Sequence, residues 1–322
     1  MKRKSVVAIS TLLIASSLLA SCGGGSNKVT FGAYWYKDSS VSAEVGAIET
    51  LSYGVSFTPG AGIGKNYDIS YSNGEYVTTF GLVEENGKTF YRLSSTMTID
   101  VTYTFNGNTE TFTDNTVSVV EFEKNTALTP IKSYSSIQSH TPQQSNKTNE
   151  ISGCYTAFDY SVTVTYNGAG GNSIVVDNDT DKQMPHEFTF RDADDYTFID
   201  NEQLYFAMRG LQPTNTTLLV YAPFSKSVQK IQANFGTKVT GEEFTFIRND
   251  ETEASKHTID YYPVNLLLAE KNPGAPQLVK VACITNDNPK RNNNRNIILE
   301  IQTPLAYNLG TLSYKLKSAQ LF

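Results

Sequence analysis

Along most of this chain apolar and polar residues alternate one by one, the two-residue period of a half-buried strand. Tyr53, Val55 and Phe57 alternate with small residues. Residues 67–71, 75–80, 81–83, 89–93, 98–105, 109–113 and 162–166 are rich in β-branched and aromatic side chains. Asn73-Gly74, Asn86-Gly87, Asn106-Gly107 and Asn167-Gly168 punctuate these runs. A two-residue hairpin loop needs positive φ at both positions; Gly has no Cβ to clash there, and Asn tolerates the region. The pattern predicts an antiparallel meander. Later strands are expected over residues 217–221, 228–235, 243–248, 257–269, 278–285, 296–303 and 310–317, with Pro263 demoting its strand to an edge or a bulge.

The period changes over residues 197–210, where Leu204, Met208 and then Leu211 fall on one helical face. Asp200 is the N-cap, Gln203 completes a variant of the capping box, and Ile199 and Leu204 are spaced for a hydrophobic staple. Gly210 is placed to stop this helix in the left-handed conformation, and Pro213 to prevent its resumption. A lone helix amid strands plugs or caps a curved sheet. A second short helix is expected over residues 42–52, where Ala43, Ala47 and Leu51 share a helical face. Residues 29–36 read as a strand or ordered lead-in whose aromatics either belong to the core, which is favoured, or form a sugar-stacking platform near the anchor. Residues 133–150 are rich in Ser, Gln, Asn and Thr. They form either a linker that splits the body near 140–150 or, as we prefer, a strand followed by an exposed loop over 141–149; Ile131 and Ile137 share one face of that strand. The fold class expected is all-β, mainly antiparallel: a curved meander sheet or half-barrel with one short helix, residues 29–322 forming a single domain.

The first residues follow neither period. Met1-Lys2-Arg3-Lys4 is basic, and residues 6–19 are apolar or small and uncharged. That run is too short for a membrane span and has the flanks of a cleaved signal. Leu19-Ala20-Ser21-Cys22 resembles the lipobox of bacterial lipoproteins. The resemblance implies removal of residues 1–21 and attachment of a diacylglyceryl group to the Cys22 thiol. One acyl chain, at about 0.8 kcal/mol per buried CH₂, holds a protein only marginally, whereas two anchor it stably. Gly23-Gly24-Gly25-Ser26-Asn27 packs almost nothing, so residues 22–28 serve as a lipidated, flexible tether. The expected location is the cell membrane, outside the cytoplasm.

Loss of Lys2, Arg3 and Lys4 with the signal moves the formal net charge from −6 to −9. A mildly acidic body lacks the basic footprint of a nucleic-acid partner. Abundant aromatics, 19 Tyr and 17 Phe, argue against disorder. Cys154 and Cys283 are either a disulfide of an exported protein or two buried free thiols.

Candidate chemistry is sparse. Asp177, Asp179 and Asp181 resemble the start of a calcium loop, but an EF-hand needs Gly at its sixth position and Glu at its twelfth, where this chain has Lys182 and Phe188. A looser metal site with Asp192, Asp194 and Asp195 stands against a simple acidic turn, which is favoured. His140, His186 and His257 are isolated, and the Gly-x-Ser-x-Gly pattern is absent. Ser227 and Lys230 fit Ser-x-x-Lys without the companion motif. No cofactor is expected.

Four segments carry a second resemblance: residues 49–57; Leu128-Thr129-Pro130-Ile131; the helix at 200–210 with Leu211-Gln212-Pro213; and residues 305–316 around Gly310. Their order resembles an uncharacterised family of exported bacterial proteins, a domain of unknown function. The resemblance implies a curved antiparallel sheet similar in outline to the half-barrels of lipoprotein carriers, and no enzyme activity. The leading expectation is a membrane-tethered binding or structural protein, its partner an apolar ligand, a glycan or an envelope protein. The alternative is an envelope glycan hydrolase using a carboxylate pair.

Overall fold

The structure, a computed structural model, describes residues 27–31, 45–60, 67–143, 146, 148–249, 251–269, 274–283, 296–305 and 308–321. Cys22, the signal, most of the tether and the aromatics Tyr34, Trp35 and Tyr36 lie outside them. The strands are β1 (Gly46–Pro59), β2 (Asp68–Glu85), β3 (Lys88–Phe105), β4 (Asn108–Phe122), β5 (Pro130–Pro142), β6 (Tyr155–Tyr166), β7 (Gly170–Asp177) and β8 (Lys182–Thr189). They continue as β9 (Thr197–Ile199), β10 (Thr216–Ala222), β11 (Ser227–Phe235), β12 (Val239–Arg248), β13 (Ser255–Leu268), β14 (Gln277–Ala282), β15 (Ile298–Pro304) and β16 (Gly310–Leu321). Among the described residues the one α-helix, α1 (Leu204–Met208), follows a 3₁₀ turn at Asn201–Gln203. The protein is all-β and mainly antiparallel, with one short helix.

All sixteen strands belong to one sheet. β12, β13, β14, β15 and β16 close into a ring, because β12 pairs antiparallel with β13 and parallel with β16 at Ile247–Ser318 and Arg248–Ala319. Two arms leave this ring. One runs from β16 through β1 and on, neighbour by neighbour, to β8; the other runs from β13 through β11 and β10 to β9. The arms meet again through side chains: Phe188 of β8 stacks on Tyr221 of β10 at 3.8 Å, and Phe190 on Phe198 at 4.6 Å. The helical plug lies in the main core, with Phe206 4.5 Å from Phe80 and 5.6 Å from Phe122 between ring centroids. Phe31 is fully buried in the same core and donates its backbone N–H to Thr126. Residues 29–31 are therefore an ordered lead-in.

Several expectations need correction. The helix expected over 42–52 is strand from Gly46 onward, where Leu51, Tyr53 and Val55 face the core with the strand period. Asn86-Gly87 and Asn106-Gly107 are two-residue turns with both φ positive, 53° and 72°, and 50° and 81°. Asn167-Gly168 opens a three-residue loop in which only Gly168 is left-handed. Asn73-Gly74 makes no turn. β2 runs straight through it, and Asn73 (φ 51°) sits in a bulge where the register against β3 shifts between Ser72 and Glu75. Pro263 marks neither an edge nor a bulge. It falls where β13 exchanges partners, pairing with β12 up to Tyr261 and with β11 from Val264, so its missing N–H interrupts neither ladder.

At the helix, Asp200 and Gln203 form the expected capping box, but residues 197–199 are a strand and Gly210 is not left-handed. A tight 3₁₀-like pairing, with the N–H of Gly210 donating to the carbonyl of Ala207, ends the turn instead. β5 pairs with β4 on one side and β6 on the other, so residues 143–154 close a hairpin inside the sheet.

Candidate functional site

The inner face of the sheet is not uniformly apolar. On β5 the residues that alternate inward are Ser133, Ser135, Ile137, Ser139 and Thr141, all buried. Thr116 and Ser118 of β4 stand opposite Ile137 and Ser135, and Ser118 shares a 2.8 Å hydrogen bond with Ser95 of β3. One wall of the interior is thus lined with hydroxyls. Small hydroxyls suit such a wall because each donates and accepts and can satisfy a neighbour.

The plug brings the charge. Asp200 uses one carboxylate oxygen to cap the turn, accepting from the N–H of Glu202 at 2.7 Å. The other accepts from Ser133 and Tyr166, both at 2.6 Å. Gln203 returns the cap to the N–H of Asp200 and donates to the carbonyl of Leu128 at 3.0 Å. These bonds fix the turn against β5 and β6. Behind it, Arg209 makes a bidentate ion pair with Glu49 of β1, at 2.6 and 2.9 Å, with both side chains buried. So held, the turn presents Asn201, Glu202 and Tyr205 to a cavity of ≈ 50 Å³. The opposite side of the cavity is built from Tyr76, Ser95, Met97, Thr116, Ile301 and Tyr314. These sit close together because each faces inward at matching register: Ile301 lies opposite Tyr314, and Tyr76 opposite Met97, itself opposite Thr116.

Glu202 is the one carboxylate of this cavity. Burial lifts its pKa from 4.5 to about 7, the charge of Asp200 adds to the rise, and hydrogen bonds from Ser118 and Asn201 oppose it. Among the described residues no Lys or Arg forms an ion pair with it. The rings of Tyr76 and Tyr314 meet edge to face at 5.6 Å. Burial holds the Tyr76, Tyr205 and Tyr314 hydroxyls protonated, Tyr205 reaching about 12. Tyr205 spends its proton on Gln277 of β14 at 2.9 Å. The arrangement can hold a few waters or the end of a small polar molecule. At a third of the volume that accommodates benzene in an engineered cavity, it has no room for an acyl chain. Two larger hollows, ≈ 640 Å³ each, are open grooves: one by Glu187, Arg191, Lys226 and Lys230, the other by Glu75, Lys315 and Lys317.

The residues singled out from sequence lie elsewhere. Asp177, Asp179 and Asp181 stand on the β7–β8 hairpin tip, and among the described residues no three His, Cys, Asp or Glu side chains converge as a metal site. Asp192 is paired to Lys230 at 2.7 Å. Cys154 and Cys283 are separate buried free thiols, so no disulfide joins them. The Cys154 thiol instead accepts from Asn146 at 3.3 Å, and burial pushes the Cys283 thiol up to about 11. Glu202, Tyr76 and Tyr314 carry no sequence signal. A Glu just inside a capped helix is ordinary, and tyrosines in strands are common.

Fold and site together define an all-β, barrel-like body with a plugged interior and one polar wall. No protein-family model and no curated protein sequence matches the chain. Among solved structures it is similar to a beta-barrel-like protein of a domain of unknown function, DUF1849, from Brucella abortus. The two share 11% identity over 85% of this chain and 97% of that one, with a TM-score of 0.45.

Proposed function

We propose that this chain is an envelope lipoprotein, tethered through a diacylated Cys22, whose β body is a binding module for a compact polar ligand. Anchoring rests on the sequence: basic start, uncharged run, and Leu19-Ala20-Ser21-Cys22 followed at once by a glycine-rich tether. The binding role rests on one observation, the Glu202 cavity, where a carboxyl group without a cation partner faces hydroxyls and tyrosine rings. Its size favours a compact ligand over the acyl chains a lipid carrier must enclose. Mass spectrometry of the mature chain tests the anchor: we expect residues 1–21 to be absent and Cys22 to carry two or more acyl chains. An unmodified leading residue would remove the proposal. For the body, saturable binding of a small polar molecule that perturbs Glu202 and Tyr205 is expected. Turnover of such a molecule would replace the binding reading with an enzymatic one.

A further inference from the structure

We propose that the ligand class of the Glu202 cavity is a small primary ammonium, received through its –NH₃⁺ end. This deepens the binding-module reading and rests on it. An ammonium has three donors and no acceptor. The cavity is lined by a complementary set: the carboxylate residue Glu202, the hydroxyl residues Ser95 and Thr116, and the aromatic residues Tyr76, Tyr205 and Tyr314. Aromatic faces attract a cation electrostatically, the more so when it is desolvated. No positively charged side chain lines the cavity, so nothing inside it already supplies the charge. An anion would face Glu202 with no cation to compensate, and a neutral molecule would leave the half-buried carboxylate with its hydrogen bonds from Asn201 and Ser118 but no counter-charge. The volume, ≈ 50 Å³, fits a head of two or three heavy atoms.

Occupancy and protonation oppose each other at Glu202. The titratable groups around it are Asp200 on its own turn, Tyr205 on α1, Tyr76 on β2, Tyr314 on β16 and Tyr166 on β6. The tyrosines stay neutral at physiological pH. Ammonium binding therefore tracks ionisation of Glu202, strengthening as pH rises through about 7.

The test is an NMR titration of the full chain with methylammonium at pH 8.5 and pH 5.5, with methanol and acetate as neutral and anionic controls. With so few heavy atoms, affinity in the millimolar range is expected at pH 8.5. We expect at least tenfold weaker binding at pH 5.5 and in Glu202→Gln, because both remove the carboxylate charge. Equal affinity at the two pH values, or methanol or acetate binding as tightly as methylammonium, would overturn the ammonium assignment while leaving a polar binding module in place. No saturable shift with any of the three would overturn both. The pH comparison on the unmodified chain decides the matter even where Glu202→Gln does not fold.

Discussion

Glu49 and Arg209 are 1% and 4% exposed, and each is the other's principal counter-charge. Arg209 also donates to the carbonyl of Asn296 and receives the Asn296 side-chain amide on its own carbonyl, tying the plug to the start of β15. Removing one member of a buried pair leaves the other charge uncompensated. Arg209→Gln is therefore expected to destabilise the fold by about 3–5 kcal/mol in urea unfolding, and adding Glu49→Gln to recover part of that loss. Glu202 behaves in the opposite way. Its pKa is higher in the folded state, about 7 against 4.5, so its contribution to stability is fully present below 4.5 and lost as pH rises through about 7. At ~1.4 kcal/mol per pKa unit, the ionised carboxylate disfavours the fold by roughly 3 kcal/mol at pH 8. Glu202→Gln should match the parent at pH 4 and exceed it by up to about that amount at pH 8; denaturation curves at the two pH values read the difference directly. A parent as stable at pH 8 as the variant would mean that Glu202 is better solvated than its surroundings imply.

At the scale of elements, identical sequence signals led to different structures. Asn106-Gly107 needs glycine for its conformation: φ is 81° at Gly107, and an added Cβ would meet nothing within 4 Å. Gly74 needs it for space: a Cβ there would lie 2.6 Å from the Val55 Cβ and 2.8 Å from the Val55 carbonyl oxygen. Gly107→Ala is expected to lose about 1 kcal/mol through backbone strain, and Gly74→Ala about 2–3 kcal/mol because β1 must move. Chemical denaturation of the two variants tests this ordering, and a reversal would mean that the bulge yields more easily than the turn. The Asn-Gly signal marks where positive φ is cheap; whether the chain reverses there depends on which strands are available to pair. The same reasoning separates what was legible from what was not. Strand positions and the Asp200–Gln203 cap were readable because period and capping chemistry are local. Spacing alone misread residues 46–52, because Ala47 and Leu51 also satisfy a helical period, whereas the resemblance over residues 49–57 implied a strand; pairing with β2 and β16 decided the outcome.

Across the whole molecule, the ambiguous stretch was the polar one, open to reading as linker or strand, and the preferred strand is β5. Ser, Gln and Thr over residues 133–141 look like a linker only if interiors are apolar; here alternate members, Ser133, Ser135, Ser139 and Thr141, are buried hydroxyls on the inner face of β5. The site was invisible for a related reason. Its parts come from β2, β3, β4, the 3₁₀ turn, α1, β15 and β16, and only the closure of the sheet around the plug brings Glu202 to Tyr76 and Tyr314. The same closure implies that the body unfolds as one unit. β5 and β6 pair continuously from Lys132 opposite Thr165 to Pro142 opposite Tyr155. Asp200 adds a second tie, holding Ser133 of β5 and Tyr166 of β6 to the plug. A protease cut within residues 143–154 breaks a hairpin loop and leaves these pairings intact. The expected result is two fragments that co-elute on gel filtration under native conditions and melt in a single transition. Two domains joined by a linker would separate after such a cut, or show two transitions, because few contacts would cross the boundary.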